Sequence, residues 1–372
     1  MSSPSEIRPT WADVDLGAFD RNIDAINAGL PRGSRLIAVL KANAYGHGAI
    51  ELARCCTPDR VAMIATALLE ESLALRDAGI TLPLLVLGPL NETQIRIAVE
   101  RAITIGVPGP EELEAAARVA RERDVAIHLK LDSGMGRMGV VEGELPRVAE
   151  ILRGAPRLRV DAIYSHFANA DDPRDPFTGE QLARFRTLVE TLREAGIDAP
   201  QHHIGNSAAT MRGIAEGDFV RAGIALFGAA PLAGDSRRLE PLLRWRTEIA
   251  RLKELPPGHA VGYGTTFHTR RASRIATLPV GYADGYNRGL SNRGEVLVRG
   301  RRAPVVGRVS MDLVTIDVTD IPEAALGDEV VLLGKQGNDE VPVEELAAKV
   351  DTISYEVFCN IGARVPRVHR RE

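Results

Sequence analysis

The chain reads as an α/β protein, a (β/α)8 barrel of the TIM type followed by a mostly-β C-terminal domain. Three observations predict this. From residue 35 to about 228, eight short runs alternate with helix-like stretches. Most of these runs are apolar nearly throughout, as parallel strands covered on both faces are. After Gly228 the texture changes. Glycine, proline and turn residues then punctuate β-branched or alternating runs such as "RIATLPVGYA", "GEVLVRGRRAPVVG", "LVTIDVT" and "DEVVLLG", the pattern of short strands joined by tight turns.

The eight runs, in order, are Arg35–Leu40, Arg60–Ala65, Pro83–Gly88, Ala102–Val107, Ala126–Leu131, Leu158–Ser165, Gln201–Gly205 and Asp218–Gly223. Between them lie amphipathic segments. In "GEQLARFRTLVETLREAG", Leu182, Phe185, Leu188, Val189 and Leu192 fall at helical spacing. Strands separated by helices require right-handed crossovers, and eight units in about 200 residues fit a closed barrel. A doubly wound open sheet is the competing architecture. The segment "GAAPLAGDSRRLEP" (228–241) reads as the linker. The boundaries are set at 12–235 for the barrel and 236–372 for the β-rich domain, with residues 1–11 placed as a segment able to pack with the second.

A length of 372 residues suits two domains or slightly more at about 150 residues each. The 45% hydrophobic and 26% charged residues allow a sizeable core. Net charge is −4, and no block of like charges runs along the chain beyond short basic clusters at Arg299–Arg302 and the C-terminus. Nucleic acid is therefore not expected as a main partner. No apolar run approaches the roughly 20 residues of a membrane helix. "MSSPSEIRPT" lacks a signal pattern, so a cytoplasmic location is expected. Cys55 and Cys56 are adjacent and Cys359 is remote, which gives neither a disulfide framework nor a metal-ligand spacing; no metal is expected.

Barrel enzymes carry their chemistry where strands end, and polar residues collect there. The first run ends in "LIAVLKANAYGHG" (36–48), bringing Lys41, Asn43, Tyr45 and His47. The fifth contains Lys130 and leads into "DSGMGRMG" with Arg137; the sixth leads into His166, Asn169 and Asp171. The seventh ends at Asn206 and Ser207, and the eighth carries Arg221, Gly223 and Ile224. A lysine at the end of a buried strand is desolvated, which lowers its pKa and makes the amine nucleophilic toward a carbonyl. The loops after the last two barrel strands are a common phosphate seat. A lysine imine and a phosphate cup together suggest pyridoxal 5′-phosphate.

"AVLKANAYGHG" closely resembles the cofactor-lysine motif of the alanine racemase family. "HLKLDSGMGRMG", "SHFANAD", "GNSAA", "RAGIALFG", "VGYGTTF", "GYADGY", "GRVSMDL" and "ISYEVFCNIGARVPR" resemble its further motifs in order, over nearly the whole chain. The resemblance implies a fold type III pyridoxal-phosphate enzyme, a barrel plus β domain working as a homodimer with active sites shared between chains. It implies racemisation of alanine, supplying D-alanine for peptidoglycan. A broad-specificity amino-acid racemase is the alternative within the family.

Residue by residue, Lys41 resembles the imine lysine and Tyr45 a phosphate ligand beside it. Ser207, Gly223, Ile224 and Tyr355 resemble the rest of the phosphate cup, with Asn206 in the same cofactor-binding set. Arg221 is similar to the arginine at the pyridine nitrogen, with His166 behind it and His203 in the same network. Arg137 resembles the arginine beside the phenolic oxygen and the substrate. Lys130 resembles the lysine carbamylated in many members. Tyr263 resembles the second catalytic base, and Tyr282, Met311 and Asp312 the mouth and the group that binds the substrate carboxylate.

Plainer readings stand beside these. Lys130 can pair with Asp132, and His47 and His128 read as structural. One departure is "HHIGNSAA", where Gly205 stands at a position the family more often fills with alanine or another small residue. Glycine is expected to loosen that turn. Against a decarboxylase of the same fold type stand Arg221 and Tyr263, and against a non-catalytic cofactor-binding barrel stands the second domain.

Overall fold

A computed structural model describes residues 7–230 and 239–371. All eight expected barrel strands form. They are β2 (Arg35–Val39), β3 (Met63–Thr66), β4 (Leu84–Val86), β5 (Ile103–Val107), β6 (Val125–Lys130), β7 (Leu158–Tyr164), β8 (Gln201–His203) and β9 (Phe219–Ala222). They form one sheet in the order β8-β7-β6-β5-β4-β3-β2-β9, parallel throughout. The ends nearly close on each other, since Asp218 N donates to His202 O at 2.8 Å and Arg221 N to Gly205 O at 3.1 Å. The open-sheet alternative is thereby excluded. Residues such as Ile37, Ala38, Ile64, Ala65, Leu84, Leu85 and Ile127 are fully buried, because helices cover the outside while side chains fill the inside.

The second domain is mostly β. Its main sheet runs through Arg301–Pro304, Glu295–Val298, Glu329–Gln336, β10 (Leu243–Glu248), β1 (Thr10–Asp15) and Arg367–Arg370. The placement of β1 corrects the boundary at residue 12. Thr10–Asp15 pairs antiparallel with β10 and parallel with Arg367–Arg370, so the chain starts in the second domain and enters the barrel only with the helix Leu16–Ala28. Its alternation, buried at Thr10, Ala12 and Val14, is what a strand covered mainly on one face needs. The other boundary, at 235/236, and residues 1–6 of the N-terminal segment lie outside the described residues. A second sheet joins Arg251–Leu255, Ser273–Leu278 and Val314–Asp317, and a small hairpin pairs Ala260–Val261 with Phe267–His268. Among the described residues no helix is long and apolar enough to cross a membrane.

Candidate active site

The C-terminal ends of the barrel strands open into a cavity of about 1160 Å³. Lys41, Tyr45, Lys130, Arg137, His166, Asn206, Ser207, Arg221, Gly223, Ile224 and Tyr355 all line it. Tyr263, Tyr282, Met311 and Asp312 do not. They lie on the second domain, where Tyr263 is 73% exposed and Met311 53%.

Lys41 sits where β2 gives way to a left-handed turn. Ala42, Asn43, Ala44 and Tyr45 all have φ of 52–53°, a conformation that costs an L-residue about 1–2 kcal/mol. Surrounding bonds fix it. Ala42 N donates to Glu71 Oε1 at 2.5 Å, and Ala49 N to Asn43 Oδ1 at 2.8 Å. From the second domain, Arg367 Nε donates to Gly46 O at 2.7 Å, and His369 Nε2 to His47 O at 2.8 Å. The chain leaves the turn through Gly46 and Gly48, both at positive φ; a Cβ at Gly46 would come within 2.5 Å of Phe358 O. Burial, then the nearby Arg137, lowers the Lys41 pKa below the usual lysine value. His47 packs between Phe227 and Phe358, and burial pushes it down to about 3. It is a neutral structural histidine, as read from the sequence.

The cup is built from three loops. Ser207 Oγ accepts from Gly223 N at 2.9 Å and from Ala225 N at 3.4 Å. Asn206 Oδ1 accepts from Ala209 N at 3.0 Å and so caps the short helix Ser207–Met211. That oxygen is spent on orienting Ser207. A Cβ at Gly223 would meet the Tyr45 hydroxyl at 2.6 Å, so only glycine leaves this rim open. Burial raises the Tyr45 pKa well above the usual tyrosine value and that of Tyr355 to about 12, which keeps both as hydrogen-bond donors. Gly205 stands where two loops pack closely. A Cβ there would lie 2.8 Å from Ala215 Cβ, so the glycine permits close packing of two loops.

Arg221 is almost fully buried and meets only neutral acceptors. Nη1 donates to His203 Nδ1 at 2.5 Å and His203 O at 3.2 Å. Nη2 donates to Ser165 O at 2.6 Å, His166 Nδ1 at 3.1 Å and Ile204 O at 3.3 Å. Its Nε–H has no partner among the described residues. Burial lowers Arg221 to about 10, which leaves it cationic at neutral pH, and burial followed by Arg221 drives His166 and His203 well below the ordinary histidine range.

Lys130 is buried beside this group, and burial, then Arg137 and Arg221, lowers it to about 8. It does not pair with Asp132, whose carboxylate instead accepts from Gly134 N at 2.8 Å and Gly136 N at 2.9 Å, winding the glycine-rich loop that carries Arg137. Of two further buried neighbours, the sequence reading left His128 as structural and passed over Tyr164. Period-two spacing gives the signal for both. His128 precedes Lys130 by two on β6, and Tyr164 precedes His166 by two at the end of β7.

On the second domain, Gly262 and Gly264 flank Tyr263 at positive φ and seat its turn against Arg308. Tyr282 N donates to Ser310 O and Ala283 N to Met311 O, both at 3.0 Å. Arg364 Nη2 holds Asp312 Oδ1 at 2.8 Å. Tyr263, Tyr282, Met311 and Asp312 are thus tied together through segment 307–312, outside their own barrel's cavity.

Among the described residues, the cavity's donors without a protein partner include the Tyr45 and Tyr355 hydroxyls, the Arg221 Nε–H, the Lys41 amine and the Arg137 guanidinium. Such a set fits a ligand with a phosphate, a ring-nitrogen acceptor and a carbonyl, as pyridoxal 5′-phosphate has. Among the described residues no group of three or more His, Cys, Asp or Glu is placed to hold a metal.

Residues 14–231 match the family described as alanine racemase, N-terminal domain, and residues 242–369 the family described as alanine racemase, C-terminal domain. An alanine racemase of Halothermothrix orenii is 41% identical over 370 residues, covering 98% of both chains. The crystal structure of alanine racemase from Bacillus anthracis with bound L-Ala-P superimposes with a TM-score of 0.91 at 37% identity, covering 98% of this chain and 95% of that one. The alanine racemase from Bartonella henselae with covalently bound pyridoxal phosphate gives 0.89 at 26% identity, covering 97% and 99%.

Proposed function

The chain belongs to the alanine racemase family, pyridoxal-phosphate-dependent isomerases, and from that premise we propose that it interconverts L- and D-alanine with pyridoxal 5′-phosphate in the barrel cavity. The observation that carries this is the set of unpartnered donors around Lys41, above all the Arg221 Nε–H in a cation otherwise fully spent on neutral acceptors. Supply of D-alanine for peptidoglycan is the role the family resemblance supports.

Lys41 would hold the cofactor's carbonyl carbon, Tyr45, Ser207, Gly223, Ile224 and Tyr355 its phosphate, and Arg221 its ring nitrogen. The bound cofactor supplies an electron sink for the pair left when the substrate's Cα–H bond breaks. Racemisation takes a proton from one face of Cα and returns one to the other, so two acid/base groups are needed. Lys41, its pKa lowered by burial and Arg137, would hold and return a proton on one face. Tyr263 from a second copy of the chain serves the other. Arg221 can only donate. It would therefore give the ring nitrogen a hydrogen bond rather than a proton, an arrangement that would favour return of the proton to Cα. Arg137, with no protein partner among the described residues, is free to face the substrate carboxylate and phenolic oxygen, with Met311, Asp312 and Tyr282 of the second copy closing the mouth.

The test is to incubate the purified protein with L-alanine, L-serine and L-lysine and follow optical rotation. Alanine is expected fastest and serine next. Lysine turning over faster than alanine would move the protein to the broad-specificity group, and no change with any of the three would overturn the assignment.

A further inference from the structure

The buried cation Arg221 stands at one end of a chain of imidazoles that continues past His203. His203 Nε2 lies 3.0 Å from His128 Nδ1, with both side chains buried. Donor chemistry fixes the direction of every bond. An arginine has hydrogens to give and no lone pair to offer. The 2.5 Å contact from Arg221 Nη1 therefore ends on a lone pair at His203 Nδ1. His203 is then neutral with its hydrogen on Nε2, and that hydrogen points at His128. His128 must accept at Nδ1, so it too is neutral and carries its hydrogen on Nε2.

The fold prepares this place. The β6–β7 ladder shifts register between Ile127 and His128, pairing His128 with Ala162 and leaving Asp161 as the extra residue. Such bulges re-aim side chains. The neighbours paired with His128 are Gly106 on β5 and Ala162 on β7, small enough to leave room for an imidazole. Tyr164 stacks on His203 with centroids 4.8 Å apart and 4° between planes, which limits how the ring can turn. The titratable and charged groups facing His128 are Tyr164 and Asp161 from β7, His203 from β8 and Arg221 from β9, with Lys130 on its own strand.

We propose that His128 is a positioning residue. Its Nδ1 lone pair selects the tautomer of His203 that can accept from Arg221, and so holds the guanidinium in the pose that presents Nε–H to the cavity. Without that acceptor, His203 can move its hydrogen to Nδ1, where it would meet the Arg221 hydrogen head-on. Two buried donors would then face each other, and one bond of a buried cation would be lost. Burial keeps His128 neutral, lowering it to about 4, which is the state the chain of bonds requires. The functional consequence rests on the placement of Arg221 at the cofactor's ring nitrogen, whereas the tautomers do not.

The experiment is long-range ¹H–¹⁵N correlation on holoenzyme labelled at histidine nitrogens, with His128 and His203 assigned by single substitution. In the wild type near pH 7, both are expected as neutral Nε2–H tautomers. In His128→Leu, His203 is expected to lose that single pattern, and kcat for alanine to fall on the order of tenfold, more than KM changes. His128→Asn, whose amide oxygen can accept in place of Nδ1, should restore both in large part. An Nδ1–H His203 or a charged His128 in the wild type overturns the proposal, whatever the activity. So does a folded His128→Leu with unchanged His203 signals and kcat. Should His128→Leu not fold, the wild-type spectrum and His128→Asn still decide.

Discussion

Lys130 shows how a single side chain's surroundings set its chemistry. It is buried, lies next to the cations Arg137 and Arg221, and forms no ion pair with a carboxylate among the described residues, because Asp132 is spent on glycine amides. With its pKa near 8, roughly a tenth of it is neutral amine at pH 7. The ammonium first loses one proton; the neutral amine then adds to carbon dioxide, forming a C–N bond and releasing a second proton, so the product carries −1 in place of +1. Beside two arginines that exchange relieves repulsion and creates a charge-assisted contact. Carbamylation of Lys130 is therefore expected. Protein equilibrated with ¹³C-bicarbonate at pH 8 should show one carbamate resonance that is absent in Lys130→Ala. Its intensity should fall between pH 8 and 6, because protonated lysine does not react. No such resonance in the wild type at pH 8 would leave Lys130 a plain buried cation.

At the scale of elements, what could be read from the sequence follows local against remote causes. The eight barrel strands were legible because being covered on both faces writes itself as apolar runs. β1 was not, because "TWADVD" finds its partners more than 200 residues later in β10 and Arg367–Arg370. The cavity residues were legible as polar interruptions at strand ends, backed by family motifs. His128 was read only as structural, because the bulge that aims it is a property of two strands together. The left-handed turn was also hidden, since Ala42, Asn43 and Ala44 are sterically ordinary, and what holds them is Glu71 and the second domain's Arg367 and His369. That seating can be tested with two glycines of similar φ. Gly33 (φ +87°) has nothing within 4 Å of an added Cβ, whereas Gly46 (φ +82°) has Phe358 O at 2.5 Å. Gly33→Ala should cost about 1 kcal/mol in urea unfolding with racemisation unchanged. Gly46→Ala should cost about 2 kcal/mol or more and also lower kcat by displacing Lys41. Equal costs with full activity in both would show that the turn does not depend on its contact with the second domain.

For the whole molecule, the decisive feature is that one chain holds apart the two residues proposed to carry protons. Lys41 lines the barrel cavity, while Tyr263 stands 73% exposed on a hairpin of the second domain, outside that cavity. Its neighbours through segment 307–312, Tyr282 and Met311, are also exposed apolar side chains, as a face made to be covered would be. A two-fold dimer in which each second domain capped the other chain's barrel would join these parts, and symmetry would then make two equal sites. Each would use Lys41 of one copy and Tyr263 of the other. Lys41→Ala and Tyr263→Phe should each be nearly inactive alone. Unfolded together in equal amounts and refolded, half the dimers would contain one chain of each kind. In such a heterodimer one site carries both defects and the other carries neither. About a quarter of wild-type sites should therefore return, by the symmetry of the assembly. Recovery near that fraction, scaling with the measured share of heterodimer, supports the shared site. A mixture as inactive as its parents, with heterodimers verified by mass, would place both proton carriers in one chain and require the hairpin of Tyr263 to fold back onto its own barrel.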